Sequence, residues 1–223
     1  MSGRHRAGCG IFVGVACLIA AGAAGAQDAD RPSPGAPWAQ ERGFVLGLQY
    51  HTNVIGAEDP GEQSTPGMLF VDEVGHGMTF IAGYNFTPAF HLRLAASVAR
   101  HETTQEAVEA HYDAGLIEAQ WRFLPAERAR PYVFGGIGGA GVGFDTDSID
   151  EEVRGGAVSM GLGVLYSLTR HLVLDLNTRL DLINWNERRI TQELPGEGTL
   201  ELESPVDGND SAWRFQLGME WEF

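Results

Sequence analysis

The 223-residue sequence predicts an all-β fold, an eight-stranded antiparallel up-and-down β-barrel that crosses a membrane on its strands. Three observations predict it. Eight segments alternate oily residues with polar or small ones, the breaks between them alternate between short and long, and aromatic residues gather near the segment ends. Alternation with a period of two makes a strand with two unlike faces. An even number of such strands, with short turns at one end and longer loops at the other, is the pattern of an outer-membrane barrel.

The first element is not a strand. Arg4 and Arg6 precede an apolar run from about Ile11 to Ala20, and Ala24-Gly25-Ala26 follows before Gln27. That order reads as a secretory signal peptide over 1–26, cleaved after Ala26. The apolar run is shorter than the ~20 residues that span a bilayer as a helix. Both cysteines, Cys9 and Cys17, fall in this segment, so the exported chain is expected to hold no disulfide. Gly14 stands three positions before Cys17 and the apolar run continues past it, which argues against lipidation there. Residues 27–42 are polar and proline-rich, a periplasmic linker, and 43–223 form the barrel.

The oily sets follow in order. The first strand carries Phe44, Leu46, Leu48 and Tyr50; the second Met78, Phe80, Ala82, Tyr84 and Phe86; the third Phe90, Leu92, Leu94, Ala96 and Val98. The fourth carries Ile117, Ala119, Trp121 and Phe123, and the glycine-rich fifth Tyr132, Phe134, Ala140, Val142 and Phe144. The sixth has Val158, Met160, Leu162, Val164 and Tyr166, and the seventh Leu172, Leu174, Leu176, Leu180 and Leu182. The eighth is FQLGMEWEF, with Phe215, Leu217, Met219, Trp221 and Phe223 on one face.

Short connections at FTPAF, FLPAERARPY and YSLTRH face long polar ones between Tyr50 and Met78 and between Leu182 and Trp213. Phe44, Phe86, Phe90, Phe123, Tyr132, Tyr166, Trp221 and Phe223 fall at the short-turn ends, while Tyr50, Phe144, Trp213 and Phe215 fall nearer the other end. Aromatic belts at two depths suit a bilayer, whose interfaces accept an apolar ring with a hydrated edge.

Within the last strand, Gln216, Gly218, Trp221 and the final Phe223 resemble the C-terminal assembly signal of outer-membrane proteins. The exported chain as a whole resembles the small eight-stranded OmpA/OmpX-type outer-membrane barrels. The resemblance implies the outer membrane of a Gram-negative bacterium, contact with outer-membrane lipid and lipopolysaccharide, and delivery by the assembly machinery through the C-terminal strand. A monomer without a cofactor is expected, and the peptidoglycan-binding domain that some relatives carry is expected to be absent because the sequence ends at the barrel.

Residues opposite the oily sets are expected inside the barrel. Arg93, Glu118, Arg122, Asp175, Arg179, Asp181, Arg214 and Glu220 form the expected polar network, with His91, Gln120, Asn177, Gln216 and Glu222 beside it. Depth counted from the short turns sets Asp181 beside Arg214 and Arg93 beside Glu118. Gly47, Gly77, Gly83, Gly135, Gly139, Gly141, Gly143, Gly161 and Gly163 are expected to line roomier walls. An eight-strand ring is about wide enough to be filled by its own side chains, which favours a polar plug. A gated ion path is the alternative.

Other chemistry is thinner. A net charge of −15, with no lysine and no basic stretch, argues against nucleic acid. His51, His76, His101 and His111 lie near one rim, but parity points His51 and His101 inward and the other two outward. One shared metal site would therefore need bulges. Asp145, Asp147, Asp150, Glu151 and Glu152 make an acidic loop that lacks the sixth-position glycine of an EF-hand. A lipid A-modifying enzyme would need a nucleophile and base on the lipid face. Ser97 and Ser159 point inward, and no outward serine accompanies an outward histidine.

Overall fold

A computed structural model describes residues 42–55, 74–102, 109–145, 149–194 and 198–223. The eight strands are β1 (Gly43–Ile55), β2 (Gly75–Asn85), β3 (Phe90–Glu102), β4 (Glu109–Arg122), β5 (Ala129–Asp145), β6 (Ile149–Ser167), β7 (Leu172–Leu194) and β8 (Gly198–Glu222). Each pairs antiparallel with the next, and β1 closes on β8 from Val45↔Glu222 to Ile55↔Ala212, giving a closed barrel. Closure removes the open edges that a bilayer could not hydrate. The signal peptide, the linker up to Glu41 and the loop 56–73 lie outside the described residues.

Large apolar side chains cover the outside. Leu48, Ile137, Leu176, Phe215 and Leu217 are all at least half exposed, an arrangement that water would penalise and lipid favours. No helix among the described residues is long and apolar enough to cross a membrane; the strands cross it. At the short-turn end, Phe44, Tyr84, Phe86, Phe90 and Trp121 form a chain of ring contacts 5.1–6.4 Å apart, and Trp221 packs beside Phe223.

The structure corrects the fifth strand. Tyr132, Phe134, Ala140, Val142 and Phe144 face the lumen and are buried, while Val133, Gly135, Ile137 and Gly139 face outward. Register explains the reversal, because Arg122↔Tyr132 and Gln120↔Phe134 are direct partners and partners share a face. On the outward side Gly139 lies between Gly115 and Gly156, so backbone, not side chain, covers the wall there. Tyr132 and Phe144 accordingly leave the aromatic belts.

The loop expected between Leu182 and Trp213 is also replaced. β7 and β8 stay paired from Leu172↔Trp221 to Leu194↔Gly198, so most of 183–211 is a two-stranded extension of the wall. Its polar sequence still alternates, and cross-strand pairs such as Arg189 with Glu203 (2.7 Å) hold it in place of apolar burial. Register shifts at Arg154/Gly155 and at Trp185/Glu187 mark the height at which this sheet leaves the barrel. The acidic segment is likewise strand at both ends: Asp145 closes β5 and pairs with Asp150 of β6, with Glu151 and Glu152 following. Asp147 lies outside the described residues.

Candidate functional site

The lumen gathers ten charged side chains among the described residues. Inward parity on β3, β4, β5, β7 and β8 buries Arg93, Arg122, Arg130, Arg179 and Arg214 together with Glu118, Asp175, Asp181, Glu220 and Glu222. Five cations thus face five carboxylates among the described residues. Such balance is what a low-dielectric interior requires, since an unpaired buried charge is expensive.

Near the short turns, Glu222 of β8 forms an ion pair with Arg122 (3.4 Å) and accepts a hydrogen bond from Arg130 (3.2 Å). Arg122 also lies 3.1 Å from His91 Nδ1, which is itself 3.1 Å from Gln120. At the centre Arg93 Nε donates to Glu118 Oε2 (2.7 Å), and Nη1 reaches Glu220 (3.5 Å) and Asp175 (3.9 Å) on the far wall. Arg179 returns the crossing from β7 to Glu118. Strands β3 and β4 therefore do face β7 and β8 across the ring.

The aromatic residues that β5 turns inward complete this layer. Phe134 lies between two guanidinium groups, with Arg93 and Arg179 each 4.9 Å from its ring centre. The Tyr132 hydroxyl donates to Asp175 (2.6 Å), whose other oxygen accepts from Gln49 (2.5 Å). Gly161 and Gly163 on β6 make room for these rings: a Cβ at Gly161 would overlap the Phe134 ring and the Thr178 carbonyl, and one at Gly163 would come within 2.6 Å of Tyr132. Above this layer Arg214 is paired with Asp181, which also accepts from Tyr112 (3.3 Å).

Higher still the lumen turns apolar. Ile55, Tyr112, Leu116, Val142, Phe144, Val153, Ile183 and Trp185 belong to one buried cluster that fills the ring at the end away from the short turns. Neither this cluster nor Arg130 is foreseen by reading β5 with the opposite parity. The signal that finds them is Arg122, whose inward position fixes that of its partner Tyr132 and so of the whole strand.

Nucleophile and base do meet inside the barrel. Thr79 Oγ1 lies 3.1 Å from His51 Nδ1 and 2.8 Å from Ser97 Oγ. All three side chains are buried, and the Gln216 amide donates to the same Thr79 oxygen (2.9 Å). These contacts satisfy part of the hydrogen-bonding capacity of the four buried side chains. His51 and His101 point inward and His76 and His111 outward; among the described residues no three His, Cys, Asp or Glu side chains gather as a metal site.

On β8, Gln216 is buried in the lumen and Trp221 and Phe223 stand on the lipid side, with Phe223 N donating to Phe44 O (2.9 Å). Gly218 faces inward where β8 meets β1; a Cβ there would overlap the Leu48 carbonyl and the Gln49 backbone.

Comparison with known proteins gives the same architecture. Neisserial surface protein A is 16% identical over 82% of this chain and all of its own, with a TM-score of 0.56. A major outer membrane protein from Thermus thermophilus is 9% identical over 81% of this chain and 99% of its own, also at 0.56. OprG from Pseudomonas aeruginosa is 14% identical over 83% of this chain and 98% of its own, at 0.49. No curated protein matches the sequence. Residues 13–223 match the family model described as the outer membrane protein beta-barrel domain. The chain belongs to that family and is an integral β-barrel protein of the bacterial outer membrane.

Proposed function

We propose that this protein is a non-catalytic barrel with a structural or surface-interaction role, its lumen plugged by its own side chains. The observation that carries the reading is the crossing set Arg93, Glu118, Arg179, Asp175 and Glu220, which spans the ring from wall to wall under an apolar layer. A side chain-filled lumen leaves no aqueous path of porin width. Planar-bilayer recording of the purified protein tests this. The expected trace has no long-lived porin-sized steps; such steps in the wild type would replace the plug with a channel.

The short turns lie in the periplasm in this reading, and the β7–β8 extension stands outside the cell. Unequal connections support it, because outer-membrane barrels put their short turns in the periplasm. A peptide tag inserted at 195–197 should bind antibody on intact cells, whereas one at 126–128 should bind only after permeabilisation. The reverse labelling would invert the topology. Gln216, Gly218, Trp221 and Phe223 serve as the recognition element for the assembly machinery. Support comes from the outward exposure of Trp221 and Phe223 at one end of β8. Phe223→Ala should lower the amount reaching the membrane, and unchanged levels would remove that role.

A further inference from the structure

Two Asn-x-Ser/Thr triplets occur in the sequence, Asn85-Phe86-Thr87 and Asn209-Asp210-Ser211. Such triplets accept N-linked glycans where the middle residue is not proline. Bacterial transfer adds a demand, an Asp or Glu two residues before the asparagine. Asp207 meets it for Asn209, with Gly208 between, whereas Gly83 stands at that place before Asn85. The fold separates the same two sites. Asn85 is 1% exposed and points into the barrel at its short-turn end, while Asn209 is exposed on β8.

Alternate residues of a strand share a side, so the three groups that a transferase reads stand in a row. Asp207 and Asn209 are exposed and Ser211 is half-buried. Asn209 and Ser211 take the outward side with their cross-strand partners Asn184 and Leu182. The pairing of β1 with β8 ends at Ile55↔Ala212. Among the described residues the stretch 207–211 is therefore paired as a strand with β7 alone. Asn209 lies about 13 Å along the strand beyond Trp213, so a glycan there stands clear of the apolar band.

The acceptor amide suits the same modification. Asn184 Nδ2 donates to Asn209 Oδ1 at 2.9 Å. That bond engages the oxygen and leaves out Nδ2, the atom that takes the sugar. A glycosylated asparagine keeps its carbonyl acceptor, so the bond from Asn184 survives. Around Asn85 the lumen is filled: a Cβ at Gly83, on the same wall, would overlap the His91 ring.

We infer that Asn209 is an N-glycosylation site, modified by a bacterial oligosaccharyltransferase while the exported chain is in the periplasm. The donor is an oligosaccharide linked to a polyprenyl pyrophosphate. Asn209 Nδ2 forms a bond to the anomeric carbon of the first sugar. The bond from that carbon to the pyrophosphate oxygen breaks, and Nδ2 loses one proton as the lipid pyrophosphate leaves. The Asp207 carboxylate is the anion recognised before the acceptor, and the Ser211 hydroxyl is the group recognised after it. Gly208 and Asp210 turn to the inner side with their partners Trp185 and Ile183, away from the sugar. A chain not yet folded offers Asn85 as well, so the acid at 207 selects the site before the fold does.

The test expresses the full-length chain in a Gram-negative host that carries such an enzyme and its lipid-linked donor, beside a second acceptor protein as control. Intact mass and glycopeptide sequencing of the outer-membrane fraction read the outcome. Wild type should carry one glycan, on Asn209, and keep the heat-shifted gel mobility of a folded barrel. Asn209→Gln and Ser211→Ala should each abolish it. Asp207→Asn should lower occupancy roughly tenfold, as expected for one charge-assisted contact. An unmodified wild type beside a modified control would overturn the site. So would a glycan on Asn85, occupancy in Asp207→Asn equal to wild type, or a glycosylated chain that never reaches the membrane.

Discussion

Near the short turns the barrel interior is held by arginines and carboxylates; at the far end the inward positions carry Tyr112, Leu116, Phe144 and Trp185. The two halves fill the same ring on the same strands by different physics. In the charged half each group depends on opposite charges on neighbouring or facing strands, because losing one leaves others under-compensated in low dielectric. In the apolar half volume matters more than identity, so the cost of a change grows with the space it empties.

The comparison can be strained from the apolar side first. Trp185→Ala removes the largest fully buried side chain among the described residues and should cost about 3–5 kcal/mol, read by denaturant unfolding in lipid vesicles. Trp185→Phe should recover most of that, because only volume is at stake; no recovery would mean the indole has a specific role. Overfilling the charged half comes next. Gly161→Ala drives a methyl into the Phe134 ring and the Thr178 carbonyl, and about 1–3 kcal/mol is expected.

Tyr132→Phe keeps the ring and removes only the bond to Asp175. It should cost about 1–3 kcal/mol, since an acceptor is left short. The smallest effect belongs outside: Gly139→Ala faces lipid, its nearest neighbour being the Gly155 carbonyl at 3.4 Å. Its stability should stay within about 0.5 kcal/mol of wild type, and a larger loss would mean that the outward glycine surface is packed against something.

The same contrast explains what can be read in the sequence. On β3, β7 and β8 the two faces differ sharply, Leu92 and Leu94 against His91 and Arg93, or Leu217 and Met219 against Gln216 and Glu220. Parity there leaves no choice, and strand order, closure and the Arg93–Glu118 and Arg214–Asp181 neighbours follow from counting depth. β5 offers no such contrast. Aromatics on one face and glycines on the other look like lipid side and lumen side until Arg122 fixes the register, and hydropathy then points the wrong way. The β7–β8 extension is hidden for a related reason. Residues 187–205 alternate between charged and mildly polar or aliphatic residues, and two strands with both faces in water need no oily side. Arg130 is lost with β5, although parity places Glu222 beside it inward.

The central claim is that the charged half is held by mutual compensation of buried charges, and one comparison tests it most directly. Unfolding free energies in the same vesicles should be measured for wild type, Arg214→Ala, and the double variant Arg214→Met with Asp181→Leu. The single change strands Asp181, a residue with no exposure and Arg214 as its ion-pair partner, and should cost about 3–5 kcal/mol; the double variant should regain most of that by replacing the pair with apolar volume. A single variant as stable as wild type, or a double variant no better than the single, would contradict the account.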